Sequence, residues 1–129
     1  MFKLIILSSM IFCHLVDDYY LQGILASMKQ KKWWKENAPQ KLYRNDYICA
    51  LIEHAFSWTF MMTLPITICI ISGKIEVNGV LFTLLFCLNW AVHTFIDNLK
   101  ANKLKINLCA DQFAHLIQII ITWLLLVFI

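Results

Sequence analysis

Four long apolar stretches limit what this chain can fold into more than any other feature of its sequence. They run from about residue 2 to 22, from 47 to 72, from 77 to 99 and from 106 to 129. Each comes close to the ~20 residues with which an α-helix crosses the hydrocarbon core of a bilayer. The sequence therefore predicts an all-α fold, a four-helix transmembrane bundle with up-down-up-down order, in which residues 1–129 form a single integral membrane domain.

The composition agrees with a membrane protein and excludes several soluble classes. Hydrophobic residues make up 60% of the chain and charged residues 15%, whereas soluble domains average about 45–50% and about 25%. This apolar fraction excludes intrinsic disorder, and the scarcity of glycine and proline favours long helices. The five cysteines are scattered and never spaced as CxxC, which argues against a disulfide framework or a thiolate zinc site.

Positive charge is concentrated in two of the three predicted connections. Residues 23–46 and 100–105 carry nine of the eleven lysines and arginines, and an up-down-up-down bundle puts both connections on one side. By the positive-inside rule that side is cytoplasmic. Both termini are then expected outside the cytoplasm, in a multi-pass protein of the cell (inner) membrane.

The first connection, residues 23–46, has the composition of a segment at the membrane surface. Trp33 and Trp34 lie among lysines, which suits a short interfacial helix between the first two spans. Anionic lipids of the bilayer are the expected partners of these basic residues, and no nucleic acid is expected. Association with further copies of the chain stays open.

The four histidines of the chain fall one in each predicted span. They are His14, His54, His93 and His115. With a rise of 1.5 Å per residue, all four lie roughly 10–14 Å below the same membrane face, the basic one. Because ionisable groups inside a membrane are costly, a shared layer of this kind points to a functional site.

Carboxylates accompany these histidines at helical spacing. Three spans pair a His with an Asp four residues away, and the pairs are His14–Asp18, His93–Asp97 and Asp111–His115. Residues four apart on a helix lie one above the other on the same face. The second span supplies His54, with Glu53 next to it but about 100° around the helix.

Imidazole and carboxylate together are the ligand set of zinc, manganese and non-haem iron. The candidate ligands of one or two divalent ions are His14, Asp18, His54, His93, Asp97, Asp111 and His115. Buried polar pairs that only fasten the helices together are the alternative.

Further residues around these ligands have candidate roles of their own. The candidate catalytic carboxylates are Asp18, Asp97 and Glu53. Residues expected to contact the substrate or the ligands from outside are Gln22, Lys100 and Gln112. Asp17 points about 100° away from Asp18 and is left out, as a marker of the membrane interface, and Trp58 is expected to serve packing or the aromatic belt.

Four ordered segments also carry a resemblance to a family. They are HLVDDYYLQ at 14–22, His54, HTFIDNLK at 93–100 and DQFAH at 111–115. They resemble a family of short bacterial and phage integral membrane proteins of unknown function, with the pattern H-x3-D-x3-Q, H, H-x3-D-x2-K and D-Q-x2-H. That family is distantly similar to membrane-bound metal-dependent hydrolases. The resemblance implies a metal site on the seven His and Asp residues of the pattern, with its Gln and Lys residues around that site.

The leading hypothesis for function is a membrane-embedded metal-dependent hydrolase with its site near the cytoplasmic face. The basic rim suggests an anionic substrate, such as a phosphoester, a lipid or a nucleotide-like molecule. An ion or proton transporter or channel could use the same His/Asp cluster. A haem carrier and a phage-type membrane protein that modulates host defence or injection are further alternatives.

Overall fold

The structure is a computed structural model that describes all residues from 1 to 129, and every regular element in it is helical. The six α-helices are α1 (Phe2–Val16), α2 (Leu25–Met28), α3 (Lys31–Asn37), α4 (Asp46–Ile71), α5 (Gly79–Ala101) and α6 (Leu108–Phe128). A π-helical turn, Asp17–Leu21, continues α1, and a 3-10 turn, Lys41–Tyr43, precedes α4.

Four of these helical segments are long and apolar enough to cross a membrane. They are Phe2–Leu21, Lys41–Ile71, Gly79–Ala101 and Leu108–Phe128. Their bounds follow the four apolar stretches of the sequence, since α4, α5 and α6 each begin within two residues of the predicted start. The prediction of an all-α fold with four candidate membrane spans is therefore confirmed.

The long helices surround a common axis. Helix α1 packs against α4 and α6, and α5 packs against the same two helices. Trp123 near the end of α6 donates its indole N–H to the carbonyl of Lys3 at the start of α1, at 2.9 Å. Such a contact is expected of antiparallel neighbours, which is the arrangement predicted from the alternating connections.

Apolar side chains fill the half of the core that lies away from the basic connections. This half contains Ile6, Met10, Met62, Ile66 and Ile119, all at most 2% exposed. The outer faces of the same helices are apolar too; Phe12, Phe95 and Phe113 are 66%, 62% and 65% exposed. Helices that are apolar all round belong in lipid rather than in water.

Turn and cap residues set the ends of α4, α5 and α6. Gly73 has a positive φ of +67° just after α4, a conformation that glycine adopts without strain. The side chain of Asn78 accepts the backbone N–H groups of Val80 and Leu81 at the start of α5. Asn107 does the same for Ala110 in α6, so that both helices begin with a satisfied cap.

The basic connection between α1 and α4 folds back against the end of α5. The short helix expected there is present as α3, and its position at the membrane interface stays a prediction. The side chain of Asn102 accepts the N–H of Lys31 at 2.7 Å and donates to the carbonyl of Lys29 at 2.9 Å. These two bonds hold Lys29 beside the buried end of the bundle.

Candidate metal centre

The half of the core beside the basic connections is polar. All four histidines lie there, each at most 1% exposed. The ring centroids of His93 and His115 are 4.1 Å apart, those of His54 and His93 5.2 Å, and those of His14 and His115 5.9 Å. Four different helices thus bring their single histidine to one layer, as the spacing in the sequence predicted.

His54 on α4 lies at the centre of this layer. Its Nε2 is 3.3 Å from Nε2 of His93, 3.4 Å from Oδ1 of Asp18 and 3.4 Å from Oδ2 of Asp97. Ligand atoms that bind one tetrahedral ion at about 2.0–2.2 Å lie about 3.3–3.6 Å from one another. The spacing around His54 is therefore that of a ligand set, and Asp18, His54 and His93 form a group that could hold a metal ion.

A second, overlapping group lies between α5 and α6. It consists of His93, Asp97 and His115. Nε2 of His115 is 3.5 Å from Oδ1 of Asp97 and 3.5 Å from Oδ1 of Asp111. Asp97 faces His54 with one carboxylate oxygen and His115 with the other, so this carboxylate connects the two groups.

Several buried polar atoms of these groups have no hydrogen-bond partner in the protein. They are Nδ1 of His54, Nδ1 of His93, Nε2 of His115, Oδ1 of Asp111 and Oδ2 of Asp17. Buried polar groups are almost always paired, because an unpaired one costs about 1–3 kcal/mol. Nδ1 of His54 faces Oδ2 of Asp17 at 3.8 Å, and Nε2 of His115 faces Oδ1 of Asp111 at 3.5 Å, so four of these five atoms oppose one another at or just beyond the limit of a hydrogen bond.

His14, a predicted ligand, has both ring nitrogens engaged by other side chains. The indole N–H of Trp58 donates to its Nδ1 at 2.6 Å, which requires the proton of the neutral ring to sit on Nε2. Nε2–H then donates to Oε1 of Gln112 at 3.1 Å. The amide N–H₂ of Gln112 donates in turn to Asp18 at 2.9 Å. His14 therefore holds Asp18, a member of the first ligand group, through Gln112, and it belongs to neither ligand group itself.

Asp17 is a member of the site, although the sequence predicted that it marks the membrane interface. It is completely buried, accepts a hydrogen bond from the Ser57 hydroxyl at 2.6 Å, and faces Nδ1 of His54 at 3.8 Å. Asp17 follows the buried His14 by three residues, a spacing that places both side chains on one helix face, and together with Asp18 it opens a π-helical turn. Such turns are frequent at functional sites. In the sequence, the signal for Asp17 as a site residue was the adjacent pair of aspartates inside an apolar span.

Two lysines complete the charges of the cluster. Lys29, which the sequence analysis left in the basic connection, is only 8% exposed and donates to Oδ2 of Asp97 at 2.6 Å. Lys100, a predicted contact residue, donates to Oδ2 of Asp111 at 2.5 Å. Four aspartates and two lysines share the cluster with the four histidines.

A cavity of about 160 Å³ lies beside the cluster on the basic side. Its lining includes Asp18, Gln22, Lys29, Lys100 and Gln112. Asp18 is the one carboxylate in this lining, and it also belongs to the ligand group around His54. The cavity thus joins a candidate metal ligand to two cationic side chains.

The chain matches one family along most of its length. The family is described as "Protein of unknown function (DUF3307)", and the match covers residues 6–129. The chain belongs to this family. No curated protein and no solved structure matches the chain. Membership confirms the expected family of unknown function, and the activity has to be inferred from the site itself.

The remaining predicted residues lie at different distances from the cluster. Gln22 lines the cavity, and its amide N–H₂ donates to the carbonyl of Asp18. Glu53, a candidate catalytic carboxylate, is exposed on the outside of α4 and forms no hydrogen bond or ion pair with the cluster. Its position one residue before His54 turns it toward the outside, because His54 itself faces the bundle axis.

The contact between Asp17 and His54 gives a first prediction. A carboxylate behind a metal-binding histidine fixes the orientation of its ring, and losing it typically costs 10–100-fold in metal affinity. Asp17→Asn is therefore expected to weaken binding of Zn²⁺ or Mn²⁺ by about 10–100-fold, measured by competition with a chelating dye. Glu76→Gln, an exposed carboxylate between α4 and α5, is the control. Equal affinities for Asp17→Asn and the control would remove Asp17 from the site.

Proposed function

We propose that this protein is a membrane-embedded metal-dependent hydrolase of an anionic substrate, a phosphoester above all. The observation that carries the proposal is the three distances of 3.3–3.4 Å from Nε2 of His54 to Asp18, His93 and Asp97, next to a cavity lined by two lysines. Hydrolases of this kind need an ion with an open position and a binding place for the negative charge of the substrate.

The ion is assigned to the group centred on His54. Asp18, His54 and His93 supply three ligand atoms from three helices, which leaves a coordination position open, and Oδ2 of Asp97 lies beside them, 3.4 Å from His54. Zinc, manganese and non-haem iron all suit this mixture of imidazole and carboxylate. One divalent ion per chain is proposed for this group.

Each side chain around the cavity then has a role. Lys29 and Lys100 attract the substrate phosphate, while their present bonds to Asp97 and Asp111 hold them at the cavity wall. When bound, a divalent ion supplies Lewis-acid polarisation and a water of lowered pKa. Asp18, the carboxylate in the lining, places the ion at the cavity, and Gln112 holds it through a 2.9 Å bond.

The orientation of the site in the cell is part of the same proposal. The cavity lies on the side of the basic connections, and the positive-inside rule makes that side cytoplasmic. The substrate then reaches the site from the cytoplasm or from the inner leaflet of the cell membrane, and both termini lie outside the cytoplasm.

Lys100→Gln tests the role of the cavity. A hydrogen bond to a charged group is worth about 1.5–3 kcal/mol, so kcat/KM for a phosphate ester is expected to fall about 10–100-fold while metal content stays unchanged. The assay uses chromogenic phosphomonoester, phosphodiester and acetate substrates with the metal-loaded protein in detergent. Lys103→Gln, an exposed lysine in the connection after α5, is the matched control. A metal-loaded wild type that hydrolyses none of these substrates would contradict the proposal.

A proton pathway is a second candidate, and one observation favours it. A hydrogen-bonded series of side chains leads from His115 through Gln118 and Asn89 to Thr122, at 3.2, 3.2 and 2.8 Å. It runs along α5 and α6 away from the cavity. Proton flux into proteoliposomes that disappears with Asn89→Leu would support the pathway, whereas tight liposomes together with ester hydrolysis would support the hydrolase.

A further inference from the structure

A second cavity, of about 580 Å³, lies outside the candidate metal centre, in the connection between α1 and α4. Four cationic residues line it: Lys31, Lys35, Lys41 and Arg44. The aromatic rings of Trp34 and Tyr47 complete its wall. Its volume lies within the range of about 300–1,000 Å³ that is usual for small-molecule sites.

The positive charge of this cavity is not neutralised within the protein. None of its lining residues is acidic, and none of its four cations takes part in a salt bridge. The nearby Glu36 faces Lys32 instead, at 3.8 Å. Four like charges around one concave surface repel one another and create a strongly positive potential. A ligand with several negatively charged oxygens matches that potential.

The position of the cavity decides which anion it meets. Tyr47 lies in the first turn of α4, at the end of a candidate membrane span. Trp34 is fixed in the wall by a 2.6 Å bond from its indole N–H to the carbonyl of Met28. Below the cavity, Ile48 and Ile52 present an exposed apolar strip on α4, at 42% and 40% exposure. Cations and aromatic rings above an apolar strip are typical of the headgroup layer of a bilayer.

We propose that this cavity binds the phosphate headgroup of one anionic phospholipid from the leaflet on the basic side. The phosphate oxygens lie among Lys31, Lys35, Lys41 and Arg44, and Arg44 can offer two parallel N–H donors to them. The acyl chains lie along the strip of Ile48 and Ile52. This lipid is separate from the metal centre, whose lysines are Lys29 and Lys100.

Native mass spectrometry of the full chain in detergent tests the proposal. Wild type is expected to retain one phosphatidylglycerol molecule in preference to phosphatidylcholine at equal concentration. In the triple variant Lys35→Gln/Lys41→Gln/Arg44→Gln the affinity for phosphatidylglycerol should fall about 100-fold, because each basic residue near an anionic surface contributes about fivefold. Circular dichroism and the melting temperature, measured for both proteins at the same metal content, show whether the variant is folded.

The matched control is Lys74→Gln/Lys103→Gln/Lys105→Gln, which removes the same charge from exposed positions in other connections. It should retain phosphatidylglycerol like wild type. An equal loss in both triple variants would show a general effect of charge and would overturn the proposed cavity. Equal retention of phosphatidylcholine by wild type would overturn it as well. Tighter binding of glycerol 3-phosphate than of phosphatidylglycerol would identify a soluble phosphate ester and contradict the lipid assignment.

Discussion

Asp97→Asn is expected to weaken the binding of a divalent ion by about 100-fold. Asp97 belongs to the second ligand group, with one oxygen 3.5 Å from His115, and its other oxygen lies 3.4 Å from His54, so it borders both groups. Structural zinc sites with four ligands bind with about 10–16 kcal/mol. One ligand therefore contributes about 3 kcal/mol, which corresponds to about 100-fold in affinity. Asparagine keeps the shape of the side chain and an acceptor for Lys29.

The comparison is made with Glu53→Gln, which removes one negative charge from an exposed position on α4. Both variants and wild type are titrated with Zn²⁺ and Mn²⁺ against a chelating dye, after circular dichroism has shown equal helix content. Glu53→Gln should bind like wild type. If the folded Asp97→Asn variant also bound like wild type, Asp97 would be a packing residue and the second ligand group would lose its carboxylate.

Trp58→Ala is expected to lower the free energy of unfolding by about 3–5 kcal/mol. Trp58 is completely buried, its ring stacks on His93 with centroids 4.2 Å apart, and its N–H donates to His14. Alanine leaves a cavity at the centre of the histidine layer and an unpaired ring nitrogen on His14. Unfolding in mixed detergent micelles, followed by circular dichroism, measures the change.

Two further variants separate packing from hydrogen bonding at this position. Trp58→Phe keeps an aromatic ring against His93 and loses the donor to His14, so a smaller loss, about 1–3 kcal/mol, is expected. Phe95→Ala removes a side chain that is 62% exposed on α5, and it should change stability little. Equal stabilities of Trp58→Ala and Phe95→Ala would contradict the central position of the indole.

The spans and the histidine layer could be predicted because both follow from distances along single helices. The apolar length of each stretch fixes a span, and the rise per residue places each histidine at a depth. Opposite chain directions then bring His14, His54, His93 and His115 to one level, where their ring centroids lie 4.1–5.9 Å from a neighbouring histidine. No contact between distant segments had to be known.

Lys29 and Trp58 depended on contacts that periodicity does not contain. Lys29 reaches Asp97 because Asn102 fastens the basic connection to the end of α5. Asp17, in contrast, follows the buried His14 by three residues and so lies on the same helix face, which its angle to Asp18 alone did not indicate. The sequence predicted only a packing or belt role for Trp58, and the structure adds the N–H that donates to Nδ1 of His14 at 2.6 Å.

The metal content of the folded wild-type protein tests the central claim most directly. The protein is purified in detergent without chelators, incubated with Zn²⁺ or Mn²⁺, freed of excess metal and analysed by elemental mass spectrometry. One divalent ion per chain, bound through nitrogen and oxygen atoms at about 2.0–2.2 Å in X-ray absorption, is the predicted result. A well-folded chain that retains neither metal after this treatment would contradict the account.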